Sequence, residues 1–152
     1  AIGSCRCGAV KINYQGDPVA TARVPPGCGK VEETSRLTLL GGRLPLLDCR
    51  KVSGSAYGIS ILIPAHLLEV TGSPSTYTSI SDNGNEITNN FCGKCGVTLW
   101  ADGPGTPLKF IKAGVLDDPS ALNQAKPSME IYTCRRAEWL PPMAGAQQKE
   151  KM

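Results

Sequence analysis

Apolar and polar residues alternate along most of this chain, in short runs separated by turn-forming residues. Ala9-Val10-Lys11-Ile12-Asn13-Tyr14 changes character at every second position and predicts a half-buried strand. Gly16-Asp17-Pro18 ends it as a turn. Tyr57–Ile63, rich in isoleucine, predicts a second strand, and Leu67–Val70 an extended or briefly helical piece after Pro64-Ala65. Thr76–Ile80 and Glu86–Phe91 read as two arms of a hairpin around Asp82-Asn83-Gly84-Asn85, because Asn-Gly readily supplies positive φ at both central positions. Val97–Trp100, Leu108–Ala113 and Glu130–Thr133 complete the strands, and Asp118-Pro119-Ser120 caps a single helical turn. Trp139-Leu140-Pro141-Pro142 is expected to dock an aromatic anchor back onto the sheet. The fold class is mainly β, without internal repeats.

One stretch breaks this order. Arg23–Leu47 holds paired prolines, a Gly-Cys-Gly and leucine-rich runs interrupted by Gly41-Gly42 and Pro45. It has no clean period of either kind, although Glu32–Leu40 is compatible with a short helix. We therefore expect a single domain over 1–152 in which 23–47 is an atypical insertion or replaced segment, with a frayed polar tail at 147–152.

The 17 glycines and 12 prolines in 152 residues fit a turn-rich architecture. Net charge is +3 with the basic residues scattered, which argues against a nucleic-acid partner. Apolar runs such as Ile59–Ile63 are too short to span a bilayer, so no membrane association is expected.

Seven cysteines could form a secreted disulfide scaffold, but the N-terminus has no signal-like pattern. Their spacing is that of a metal site, which points to a reducing, cytoplasmic setting. Cys92-Gly93-Lys94-Cys95-Gly96 is a C-x-x-C knuckle with glycines where the backbone must turn. Cys5-Arg6-Cys7-Gly8 is a second short-spaced pair far away in sequence. Together Cys5, Cys7, Cys92 and Cys95 make the four-thiolate set of a structural zinc, which would tie the N-terminus to the middle of the chain. A redox C-x-x-C is disfavoured, because that motif opens a helix and the flanks of this one read as strand.

Five ordered motifs resemble one family. They are Gly3-Ser4-Cys5-x-Cys7-Gly8-Ala9-Val10, Asp48-Cys49-Arg50-Lys51-x-Ser53-Gly54-Ser55-Ala56-Tyr57-Gly58 and Phe91-Cys92-Gly93-x-Cys95-Gly96, followed by Ala113-Gly114-x-Leu116-Asp117-Asp118-Pro119 and Trp139-Leu140-Pro141-Pro142. The chain is similar to the glutathione-dependent formaldehyde-activating (Gfa-like) family with its Mss4-like, zinc-ribbon-containing β fold. The resemblance covers everything but Arg23–Leu47. It implies a zinc-dependent carbon–sulfur lyase acting on glutathione–aldehyde adducts such as S-hydroxymethylglutathione. It also implies a structural zinc on Cys5, Cys7, Cys92 and Cys95, and a second, catalytic zinc held by a C-x-C-x-x-C run. In this sequence that run reads Leu44-Pro45-Leu46-Leu47-Asp48-Cys49, so Leu44 and Leu46 stand at two ligand positions and only Cys49 remains. A methyl-terminated side chain cannot donate to zinc.

Cys49 is accordingly the candidate catalytic residue and the remnant of the second zinc site. Arg50 and Lys51 are candidates for binding the carboxylates of a glutathione-like ligand. Ser53 and Ser55 either build a polar turn or form part of a substrate pocket. Cys134 is expected as a buried or edge thiol, His66 as a surface or packing residue, and Trp100 as core. Three readings of function follow: a lyase-like enzyme whose partners are a small-molecule thiol and an aldehyde; a zinc-stabilised binding module that lacks the catalytic zinc; or an altered gene product of an active enzyme, with Arg23–Leu47 in place of the segment that would carry Cys-x-Cys.

Overall fold

The computed structural model describes residues 1–24, 48–80, 84–103 and 105–150. Eleven strands among these form two sheets. The smaller joins β1 (Ile2–Ser4), β2 (Lys11–Tyr14) and β5 (Leu68–Thr71) in the order β1-β2-β5, all antiparallel. In the larger, β3 (Ala20–Val24), β4 (Gly58–Pro64), β6 (Ser75–Ile80), β7 (Glu86–Phe91), β8 (Thr98–Asp102), β9 (Leu108–Lys112), β10 (Met129–Ile131) and β11 (Gln147–Lys149) run in the order β11-β10-β3-β4-β9-β8-β7-β6. Its pairs are antiparallel except at one end, where β10 lies parallel to both β3 and β11. Among the described residues the α-helices are two short ones, α1 (Asp48–Ser53) and α2 (Pro119–Gln124), besides three 3-10 turns. The fold is mainly β and Mss4-like, as the motifs imply.

The core follows from alternation. Thr21, Ile61, Ile111, Trp100 and Asn90 are successive cross-strand partners over β3, β4, β9, β8 and β7, and all five are buried. Directly opposite residues share a face, so this row is one continuous stripe of packing. Ile12 and Tyr14 of β2 bring the smaller sheet into the same cluster, together with Cys5 and Cys92. Within the smaller sheet, close approach of the chain just before β2 and just after β5 demands glycine at Gly72: with φ at +93°, a Cβ there would stand 2.1 Å from the Ala9 carbonyl oxygen.

Several expectations shift. Asp48–Ser53 forms a helix where a polar turn was read; it ends at Gly54, whose φ of 60° is the left-handed conformation that terminates helices. The tail at 147–149 is not frayed: it forms β11, because Gln147 donates its N–H to the Ser128 carbonyl and the strand pairs with β10. Arg23 belongs to β3, where it is buried opposite Ile59, and not to an excursion. The helix expected at Glu32–Leu40 lies outside the described residues, as do Asp82 and Asn83, although β6 and β7 do pair as a hairpin.

Candidate metal centre and cleft

Two turns of similar construction present the four cysteines. In the first, Cys5 donates its N–H to the Val10 carbonyl and Gly8 donates to the Cys5 carbonyl, both at 2.9 Å. In the second, Cys92 donates to the Val97 carbonyl at 2.9 Å and Gly96 to the Cys92 carbonyl at 2.8 Å. Gly8 and Gly96 both have positive φ, 71° and 74°, which lets each turn close back on its first cysteine. No helix follows the knuckle; β8 does, which leaves a redox C-x-x-C without its usual setting.

The Sγ atoms of Cys5, Cys7, Cys92 and Cys95 all lie within 4.8 Å of one another. Cys7 Sγ is 3.6 Å from both Cys5 Sγ and Cys92 Sγ. Disulfide sulfurs would be about 2.05 Å apart, and all four thiols are free. A tetrahedron with metal–sulfur bonds of about 2.3 Å has edges of about 3.8 Å, so these separations fit one ion among four thiolates.

Backbone amides prepare the sulfurs for that charge. Burial pushes the Cys5 thiol up, but the Val10 N–H, 3.3 Å from its Sγ, and the neighbouring thiols outweigh it and bring the pKa down to about 6. Hydrogen bonds from the Val97 and Cys7 amides lower Cys95 against burial. The Ala9 amide acts in the same sense on Cys7, but the other three sulfurs and burial together raise it to about 11. Four clustered thiols cannot all ionise unaided, and a cation in their midst removes that conflict. Cys5 and Cys92 are buried while Cys7 is exposed, so the centre sits at the rim of the core.

The other candidate residues gather on and after α1. Cys49 is its second residue; Leu44 and Leu46 lie outside the described residues. Arg50, Lys51 and Ser55 line an open cleft of about 480 Å³ together with Gly54, Ala56, Ala137 and Trp139. That volume falls in the range of small-molecule sites. Ser53 is not among its walls. Its Oγ instead accepts from the Ser55 N–H at 3.3 Å and stands 3.4 Å from the Arg50 carbonyl oxygen, which makes it a turn residue.

Trp139 departs most from expectation. It does not dock on the sheet: its surface is 74% exposed and it forms one wall of the cleft. The Leu140 N–H bonds to the Ala137 carbonyl at 2.8 Å, so Ala137–Leu140 is a tight turn that carries Trp139 outward at its third position. Cys134 is likewise neither a buried nor a free thiol. It is an exposed, disulfide-bonded residue in the 3-10 turn Thr133–Arg135, because the left-handed Tyr132 (φ 58°) turns the chain away after β10. Trp100 is core and His66 is exposed, as read from the sequence. Sequence reasoning missed one buried ionic cluster, formed by Arg23, Glu130 and Arg136. Glu130 is fully enclosed, with Arg136 Nε 3.1 Å and Arg23 Nη1 3.5 Å from its Oε1. A glutamate and two arginines so far apart in the chain gave no local signal.

Fold and centre thus define a β protein in which paired cysteine turns frame one metal-sized tetrahedron of sulfur. The sequence profile of the family described as glutathione-dependent formaldehyde-activating enzyme matches residues 46–135, more than half of the chain. The protein belongs to that family. Among solved structures, the crystal structure of a Rhodobacter sphaeroides protein is similar at 18% identity and a TM-score of 0.50, covering 80% of this chain and 94% of that one. At that identity the likeness shows the fold. No curated protein matches the chain. Among the described residues, no helix is long and apolar enough to cross a membrane.

Proposed function

We propose that this protein is a zinc-dependent, carbon–sulfur lyase-like enzyme acting on thiol–aldehyde adducts, with S-hydroxymethylglutathione as the type substrate. The observation that carries this reading is the cleft whose walls from Arg50 to Ala56 fall in the family-matched region, with Ala137 and Trp139 just beyond it: its described polar walls are Arg50, Lys51 and Ser55, with no carboxylate among them. Two cations beside a serine suit a small thiol peptide bearing carboxylates. Cys49 directly precedes these cations in the chain. In the reaction the sulfur of the thiol bonds to the aldehyde carbon, the carbonyl π bond breaks, and the thiol proton ends on the oxygen; the reverse releases aldehyde. Arg50 and Lys51 would hold the thiol carrier so that this addition occurs within one bound complex.

Zinc is our assignment for the Cys5, Cys7, Cys92 and Cys95 centre. Four thiolates leave no open position, so this ion would be structural. The family's second zinc would polarise the aldehyde when bound, but Leu44 and Leu46 supply no ligand atoms for it. Slow exchange is therefore expected of this chain, and the same two leucines favour the second reading, a zinc-stabilised binding module without turnover. The experiment is exchange spectroscopy by NMR on glutathione and formaldehyde, with zinc counted on the same sample. Measurable acceleration with one zinc per chain supports the lyase-like reading. Acceleration absent at high protein concentration leaves the binding module, and two zinc ions per chain would overturn the ligand assignment.

A further inference from the structure

The cleft has one wall that charge does not explain. Trp139 is a large, exposed aromatic residue that lines the same opening as Arg50 and Lys51. Exposing an indole forgoes roughly 2–3 kcal/mol of burial, so its position needs a cause. The cause of its placement is visible below it. The segment from Arg136 to Met143 leaves and returns to a single carboxylate: Arg136 Nε donates to Glu130 Oε1 at 3.1 Å, and the Met143 N–H donates to Glu130 Oε2 at 3.2 Å. Between them, Arg23 Nη1 donates to the Pro141 carbonyl at 3.5 Å. Glu130 therefore clamps both ends of the loop whose outer turn carries Trp139.

The same cluster reaches another wall. The Arg23 guanidinium lies over the Tyr57 ring, 4.0 Å from its centroid. Tyr57 follows directly after Ser55 and Ala56, which line the cleft. One buried ionic group thus braces the turn after α1 on one side and the Trp139 loop on the other.

We propose that Trp139 is the specificity-determining platform of this cleft, and that Glu130 is its positioning residue. The apolar, thioether-bearing part of a small carboxylate-rich thiol lies against the indole face while Arg50 and Lys51 hold its carboxylates. This rests on the reading of the cleft as the site for thiol adducts, but not on turnover. A flat, partly apolar surface in the same opening as two cations selects ligands that are anionic at one end and apolar at the other.

The test uses the full chain and S-methylglutathione, an unreactive thioether. Of the two tryptophans, Trp100 is buried at 5% exposure and Trp139 is open, so a ligand in the cleft should change the emission of Trp139 alone. Saturation should shift or quench the wild-type emission, and Trp139→Phe should abolish that signal while calorimetry still finds binding within about threefold. Trp139→Ala should weaken binding by roughly 3–10-fold. Glu130→Gln, checked for wild-type zinc content, should alter the emission of the free protein and weaken binding while Trp139 is still present; should that variant fail to fold, the two Trp139 variants decide alone. Wild-type affinity in Trp139→Ala, an unmoved emission at saturation, or no binding of the thioether at all would each overturn the proposal. Binding with a Trp139 signal but no formaldehyde exchange would uphold it and sink the lyase reading. Exchange with an unchanged KM in Trp139→Ala would do the reverse.

Discussion

Replacing Cys92 by serine isolates the metal from the packing around it. The side chain is fully buried in the core cluster, and serine occupies almost the same space, so little cavity results. What changes is the cross-link. Cys7 and Cys92 are 85 residues apart, and an ion shared between them would close that loop. The chain-entropy relation for a cross-link gives about 4–5 kcal/mol for a loop of about that length, a lower bound because metal–sulfur bonding adds to it. Apparent zinc affinities of roughly 10–16 kcal/mol in small thiolate sites set the upper bound, against a typical domain stability of about 5–15 kcal/mol. At about 2–4 °C per kcal/mol for a domain of this size, even the lower bound implies a melting temperature lower by roughly 8–20 °C. Thermal melts and zinc content of wild type and Cys92→Ser, each with and without chelator, provide the assay. Wild type in chelator should approach the variant. A variant that binds zinc one-to-one and melts within about 2 °C of wild type would refute the four-sulfur centre.

Three further outcomes are expected. Burial pushes the Glu130 carboxyl up, but the Met143 N–H, Gln148, Arg23 and Arg136 outweigh it and hold it below the usual glutamate range. Its contribution should therefore be complete above the unfolded pKa of about 4.3 and lost as pH falls through the lower folded value; the stability gap between wild type and Glu130→Gln, roughly 3 kcal/mol at neutral pH, should narrow in acid. A gap independent of pH from 7 to 3 would contradict this. Gly72→Ala should cost at least about 2 kcal/mol in denaturant melts, since φ at +93° and the Ala9 carbonyl both oppose a Cβ; a neutral effect would mean that the chain beside β2 and β5 packs less closely. Exchanging residues 25–47 for a short connection with cysteines at the places of Leu44 and Leu46 should keep the fold, add a second zinc and raise thiol–aldehyde exchange. Folding with one zinc would place the fault in the alignment at Cys49.

Much of the fold was legible because its signals are local. Alternation announced β2, the isoleucine-rich run announced β4, the Asn-Gly step announced the β6–β7 hairpin, and Asp118 with Pro119 announced α2, where Asp118 Oδ1 accepts from the Ser120 N–H at 2.8 Å. The metal centre was legible for the same reason, since each cysteine pair is a local turn. What escaped were elements fixed only by distant partners. β1 is three residues long and exists by pairing with β2, β11 is exposed and polar and exists by pairing with β10, and β3 ends at the point where composition changes.

The cleft shows why that limit matters for function. Arg50 and Lys51 could be proposed from neighbouring motif residues, but Trp139 was read as an anchor on the sheet, because an aromatic near two prolines carries no local sign of which way it faces. The choice between them is made by Glu130, which ties down both ends of its loop, and by Arg23, which joins that loop to β3 and Tyr57. Arg23 was the first residue assigned to the unpatterned excursion on composition alone. In the structure it is the buried link between the two walls of the cleft, so the excursion begins after β3. Any change to that segment that spares Arg23 leaves the brace in place, and one that removes it should loosen the cleft while the metal centre and the Ile61–Ile111–Trp100 row keep the sheet folded.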